Sequence, residues 1–262
     1  MSAPQVQVTT QDYVTTVCIN RPEKRNALTY ALLRDLTALL AELADDPGTR
    51  VVVLRGAGER SFSAGLDLQE VLAGVATSPA APLDQATIQS AMQAVEQHPN
   101  PIIAMINGDA LAGGCELALH CDFRIMVETA RIGMPLVKRG LTIPFHLTHK
   151  LVQMVGPSTT TEILVRGAPL SAARAHQVGL VHEVVPAAQL VAATTALATE
   201  LAANAPLAVR AFKQCIALAV RHDAEEHQQA MNDVMVQVMT SADAREGLQA
   251  FLEKRLPQYR GH

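Results

Sequence analysis

Along residues 5–20 apolar and polar positions alternate, rich in Val and Thr, which predicts a strand pair turning at Gln11-Asp12. The pattern then changes period: Leu28, Leu32, Leu36, Leu39, Leu40 and Leu43 share one helical face, and Thr29 is placed to cap it. VVVLRG (51–56) reads as a buried strand, and so does PIIAMING (101–108), whose glycine leads into the helix start LAGGCELALH. DFRIMVE (122–128) is a further strand. The recurring order strand–helix–strand predicts an α/β fold with a parallel or mixed sheet covered by helices. Between 73 and 87, AGVATSPAAPLDQAT reads as a loop or a poorly set helix start. After Pro186 the pattern is helical throughout, over 187–203, 206–222, 223–240 and 242–255, with Pro206 at a helix start. Met231, Met235 and Met239 fall on one stripe of this tail and read as ordinary packing.

Composition narrows the class. Hydrophobic residues make up 49% of the 262 and charged ones 18%, enough apolar material for a sizeable core. A net charge of −4 without any basic run argues against nucleic acid as a partner. The cysteines, Cys18, Cys115, Cys121 and Cys215, form no C-x-x-C and predict free thiols in a reducing compartment. The first residues lack the basic and apolar regions of a signal peptide, and no run reaches the ~20 apolar residues of a membrane span. The expectation is a soluble, cytoplasmic protein with no membrane partner.

Three segments carry candidate chemistry: RPEKRNAL (21–28), SFSAGLDL (61–68) and NGDALAGGCEL (107–117). The first ends a strand with basic residues and a turn, the other two in small residues and glycine, and ligands of open α/β folds gather at the carboxyl ends of strands. Gly65, Gly113 and Gly114 leave backbone N–H groups unshielded, and two such donors aimed at one carbonyl oxygen make an oxyanion hole. Within GGCELALHCD, Glu116 stands among glycine, leucine and alanine, where desolvating a carboxylate is costly. Read alone, Glu116 is either a helix-start carboxylate or a working acid–base group.

These segments resemble the signature of the crotonase (enoyl-CoA hydratase/isomerase) superfamily. RPEKRNAL is similar to its early CoA-contacting segment, FSAGLDL to its first oxyanion segment, and NGDALAGGCELALHCD to its second, with its glutamate. The likeness continues through ARIGMPLVKRGL and APLSAARAHQVGLVHEVVP to FLEKRLP, covering essentially the whole chain. The resemblance implies a spiral of ββα units over residues 1–190 and a helical trimerisation region over 191–262. It implies a homotrimer or a hexamer built as a dimer of trimers, an acyl-CoA thioester as ligand, no metal, and no cofactor beyond the CoA moiety of the substrate. By position, the N–H groups of Leu66 and Gly113 would bind the thioester oxygen. Arg25, Ala27, Ala64, Asp67, Leu68 and Pro135 match positions lining the CoA and substrate site, and Phe251 and Lys254 a C-terminal pair reaching a neighbouring subunit's CoA. Leu66 replaces a frequent alanine, which keeps the donor and narrows the pocket.

The resemblance also implies a second catalytic glutamate, directly after the proline of a later segment. Glu116 matches the first, but the residue after Pro135 is Leu136, which cannot move a proton. The following LTIPFHLTHKL reads as a bulky loop at the acyl end, where Thr142 or His146 could add a polar group; His120, His149 and His176 are equally unassigned. Three functions stay open: a hydratase-like lyase working with one glutamate, a decarboxylase of malonyl-type thioesters, and a non-catalytic acyl-CoA-binding protein.

Overall fold

The computed structural model describes residues 4–77, 83–220, 234, 236–238 and 240–262. The alternating start forms β1 (Val6–Gln11) and β2 (Val14–Ile19), an antiparallel hairpin. Its turn falls at Asp12-Tyr13, one residue later than the sequence suggested, because both residues take positive φ (49° and 66°). Such a turn matches the twist of the flanking strands. The leucine stripe forms α1 (Tyr30–Asp45), capped by the Thr29 side chain, which accepts the Leu32 N–H at 3.1 Å. Leu32, Leu33, Leu36, Leu40 and Leu43 are its buried face. Burying one leucine stabilises by about 1.5–3 kcal/mol, so five of them fix which side of α1 turns inward.

The core is built by repetition. A long strand, a short strand and a helical segment follow one another three times: β3 (Val51–Gly56), β4 (Ser61–Ser63) and α2 (Leu68–Thr77); β5 (Ile102–Ile106), β6 (Asp109–Leu111) and α4 (Gly113–His120); β7 (Phe123–Val127), β8 (Arg131–Gly133) and a 3-10 turn (Pro135–Arg139). A further helix, α3 (Gln85–Glu96), precedes β5 and packs against α1. The long strands join one six-stranded sheet, ordered β1-β2-β3-β5-β7-β10 with β10 at Glu183–Val185. The short strands join a second sheet, β4-β6-β8-β9, closed antiparallel by β9 (Leu170–Ser171). The spiral of ββα units is present, and the single sheet suggested by the long strands is two. Three-residue strands such as Ser61–Ser63 have no readable period, which is why the second sheet was hidden.

Helices cover the remaining faces: α5 (Phe145–Leu164, broken at Gly156, φ 72°), α6 (Ala172–Gln177), α7 (Leu190–Ala202), α8 (Pro206–Ala219) and α9 (Ala242–Glu253). Two regions read wholly or partly as loop carry helix. AGVAT ends α2, and α3 begins at Gln85 behind an Asp84 cap that accepts the Thr87 N–H. PFHLTHKL opens α5 behind Pro144, with Leu147 and Leu151 one turn apart in the core and Phe145 82% exposed. A proline at the helix start looks like an interruption in the sequence. Most of the predicted 223–240 helix, with Met231, Met235 and Met239, lies outside the described residues. No described helix is long and apolar enough to cross a membrane.

Candidate active site

The second sheet gathers the chemistry. Its parallel strands β4, β6 and β8 lie side by side, so their carboxyl ends deliver Ala64–Asp67, Ala112–Glu116 and Met134–Leu136 to one edge. The segment before α1 is stitched alongside: Leu28 N–H donates to Gly65 O, Asp67 N–H to Leu28 O, and Ala64 N–H to Arg25 O, at 2.8, 2.8 and 3.0 Å. The Arg21–Asp67 ion pair (3.0 Å) closes that seam. Burial alone would raise the Asp67 pKa, but the Gln69 N–H and Arg21 outweigh it and hold the carboxyl below its ordinary value.

At the centre two backbone donors meet. A Cβ added to Gly113 would lie 3.4 Å from Leu66 N, and one added to Gly65 would lie 2.8 Å from Gly113 N. Any side chain at Gly65 would therefore cover the Gly113 donor, and its φ of +94° also favours glycine. Ala112 holds φ 50° and ψ −122°, a costly backbone for an alanine, fixed by its N–H to Gly133 O (2.9 Å). The kink turns the chain abruptly from β6 into α4. Among the described residues, neither Leu66 N–H nor Gly113 N–H has a hydrogen-bond partner.

Glu116 sits in the first turn of α4. Among the described residues its carboxylate has no hydrogen bond and no ion pair, and desolvation alone pushes its pKa up to about 7. The other end of α4 is different. Arg124, 5% exposed, donates to Ala118 O, Cys121 O and Leu180 O at 3.3, 2.6 and 2.7 Å. His120 Nδ1 lies 2.8 Å from Glu116 O, which can only accept, so this nitrogen carries the proton. His120 Nε2 faces Glu96 at 3.6 Å, and Glu96 is held by Lys150 at 2.5 Å. Burial first, then Lys150, lowers the His120 pKa to about 4. His120 is thus a neutral structural group. Cys115 and Cys121 are buried with raised thiol pKa values, burial being the chief cause.

Comparison with known proteins fits this geometry. The family model for enoyl-CoA hydratase/isomerase matches residues 9–262. The chain belongs to that family. It is 35% identical to the 2,3-dehydroadipyl-CoA hydratase of Escherichia coli, over 97% of this chain and 98% of that one. It is 32% identical to the short-chain-enoyl-CoA hydratase of Clostridium acetobutylicum, over 92% of each. The crystal structure of an enoyl-CoA hydratase from Bacillus anthracis superposes with a TM-score of 0.90 at 35% identity, covering 99% of this chain and all of that one.

Within this enoyl-CoA hydratase/isomerase fold, the expected site residues fall in two groups. Arg25, Ala27, Ala64, Leu66, Asp67, Leu68, Gly113, Glu116, Pro135 and Leu136 all lie on the gathered segments. Arg25 and Leu68 are exposed, Pro135 and Leu136 partly buried, and Asp67 is buried with both oxygens engaged by Arg21 and Gln69. Lys254 is exposed with φ 54°, just past α9, and the Phe251 side chain lies outside the described residues. His146 is exposed, and its charge is felt by Glu96 and His120 rather than by Glu116. Sequence reasoning passed over Arg21, Ala112 and Glu70. Arg21 stands in the quoted RPEKRNAL motif, whereas nothing in the sequence marks an alanine with positive φ.

Proposed function

We propose that this chain is an acyl-CoA-binding lyase that hydrates an enoyl-CoA thioester with a single carboxylate. The observation that carries the reading is Glu116, half-buried, desolvated and without a partner among the described residues, in the helix turn that opens with the unpartnered Gly113 donor next to Leu66. The N–H groups of Leu66 and Gly113 donate to the thioester oxygen between them and draw electron density from the double bond. Each such donor is worth roughly 2.7–4 kcal/mol in the transition state. Glu116, ionised, takes a proton from water as the water oxygen bonds to the β-carbon. The π pair of the double bond then takes that proton at the α-carbon, so water is added and Glu116 is ionised again. A pKa of about 7 suits a group that must both take and give a proton near neutrality. The relatives named as hydratases support the substrate class. Leu136 leaves no second carboxylate after Pro135, and no charged group contributes to the Glu116 shift.

Arg25, Ala27, Ala64, Leu68 and Pro135 would line the CoA and substrate, with Asp67 as the scaffold of that wall. Phe251 and Lys254 would reach the CoA of a neighbouring subunit in a homotrimer or a dimer of trimers. The exposed Phe212 and Ile216 of α8, 69% and 65%, support such an assembly. The reading is tested with crotonyl-CoA. The wild type hydrates it, and Glu116→Gln lowers kcat/KM by about 10²–10⁴-fold. Unchanged turnover would remove Glu116 from the mechanism. Release of CO₂ from methylmalonyl-CoA without crotonyl-CoA hydration would replace this reading by decarboxylation, for which the apolar Leu136 is suited. Tight binding with neither reaction would make the chain an acyl-CoA binder.

A further inference from the structure

The helix that follows the Leu66 donor is held to the body in an unusual way. No described side chain of α2 is buried, and Leu68 and Leu72 are 60% and 68% exposed. Full core burial, the ordinary source of helix stability, is therefore missing from its described side chains. Two carboxylates take its place. Asp67, at the start of α2, pairs with Arg21 and accepts the Gln69 N–H. Glu70, one turn past Leu66, reaches across to α1, where its Oε2 accepts the Tyr30 N–H at 2.7 Å.

That second contact is chemically well matched. The first N–H groups of a helix have no partner within it, and the helix dipole places partial positive charge there. Thr29 serves the Leu32 N–H of α1 and leaves the Tyr30 N–H to Glu70. Tyr30 also receives the chain where it re-enters at α3, because its hydroxyl accepts the Asp84 N–H at 3.2 Å. Asp67 and Glu70 grip the body on either side of Leu68, two residues beyond the Leu66 donor. Their partners, Arg21 and Tyr30, lie on either side of Leu28, which forms a single bridge to Leu66.

We infer that Glu70 is a positioning residue: by capping α1 it fixes the first turn of α2 and, with it, the Leu66 N–H beside Gly113. The catalytic half of this inference rests on the hydratase reading, and the structural half does not. A donor must lie within a few tenths of an ångström of its place to serve a transition state, and a misplacement of 1 Å can cost about 10²-fold. Asp67 remains as a second tether, so loss of Glu70 loosens α2 without detaching it.

Hydrogen–deuterium exchange and crotonyl-CoA kinetics on the full chain test this with Glu70→Ala and Glu70→Gln. Losing a hydrogen bond to a charged acceptor corresponds to about a tenfold or greater change, so Glu70→Ala exchanges the amides of residues 69–73 about tenfold faster. The same variant loses about tenfold in kcat with KM little changed, because the Leu66 donor acts chiefly in the transition state. Glu70→Gln keeps an acceptor oxygen and restores both readouts towards wild type. Unchanged exchange in Glu70→Ala overturns the tether, and faster exchange with an unchanged kcat overturns its link to Leu66. A wild-type chain without hydratase activity sinks the hydratase reading, while the exchange comparison still decides the tether.

Discussion

Among the described residues, α4 carries at its N-terminal end a half-buried carboxylate with no partner, while the ionisable groups at its C-terminal end are partnered. Glu116 has only desolvation acting on it, and two neighbouring N–H groups stand equally unpartnered among the described residues. Two turns on, Arg124 spends its donors on three carbonyls, His120 donates to Glu116 O, and Glu96 lies against Lys150. Burying a polar group is costly unless it is hydrogen-bonded, and the second end obeys that rule. The first end breaks it with a donor pair and an acid at the same helix start. On the hydratase reading, this unsatisfied end of mixed sign is where the thioester and water bind.

If that contrast is right, the two ends respond oppositely to substitution. The largest effect is catalytic, the 10²–10⁴-fold loss in Glu116→Gln. Next comes Arg124→Met, which leaves the carbonyls of Cys121 and Leu180 buried without their donor and takes one of two donors from Ala118 O. Each unsatisfied buried group costs about 1–3 kcal/mol, so urea unfolding should show a loss of about 3 kcal/mol or more. A loss below about 1 kcal/mol would mean that the Arg124 end is not the rigid half of the comparison.

The third effect is smaller and of opposite sign. The Glu116 pKa is raised from its ordinary 4.5 to about 7 in the folded chain. Below pH 4.5 both states hold the proton and the folded state carries no penalty. As pH rises from 4.5 to 7 the unfolded state ionises first, so this group removes stability from the wild type until the folded carboxyl ionises too. Glu116→Gln carries no such penalty. It should gain on the wild type by on the order of 2–3 kcal/mol between pH 4 and pH 8, read from urea midpoints at the two values. A gain that does not depend on pH would show that Glu116 is paired or solvated after all.

Sequence patterns resolved what has a period or a motif. The leucines of α1 and its Thr29 cap, the long strands, and the GGCE turn were legible because spacing and residue type express them directly. The second sheet was not, because strands as short as Asp109–Leu111 carry no alternation. The α5 start was masked by Pro144, and α3 by the Ala- and Pro-rich segment before it. Within the site, the gathering of Leu66, Gly113 and Glu116 followed from the resemblance. The reason for Gly65, a methyl-sized space in front of Gly113 N, needed the backbone positions. Tertiary partners such as Glu70 and Tyr30, 40 residues apart, leave no local trace at all.

The central claim is that Glu116 titrates alone, in a desolvated place, within the range where an acid–base group works. Carbon-13 NMR of the glutamate side-chain carboxyls, assigned by comparison with Glu116→Gln, measures that titration directly. The account predicts a Glu116 midpoint near pH 7 that moves when an acyl-CoA thioester binds. A midpoint near the ordinary 4.5, unmoved by the thioester, would contradict it.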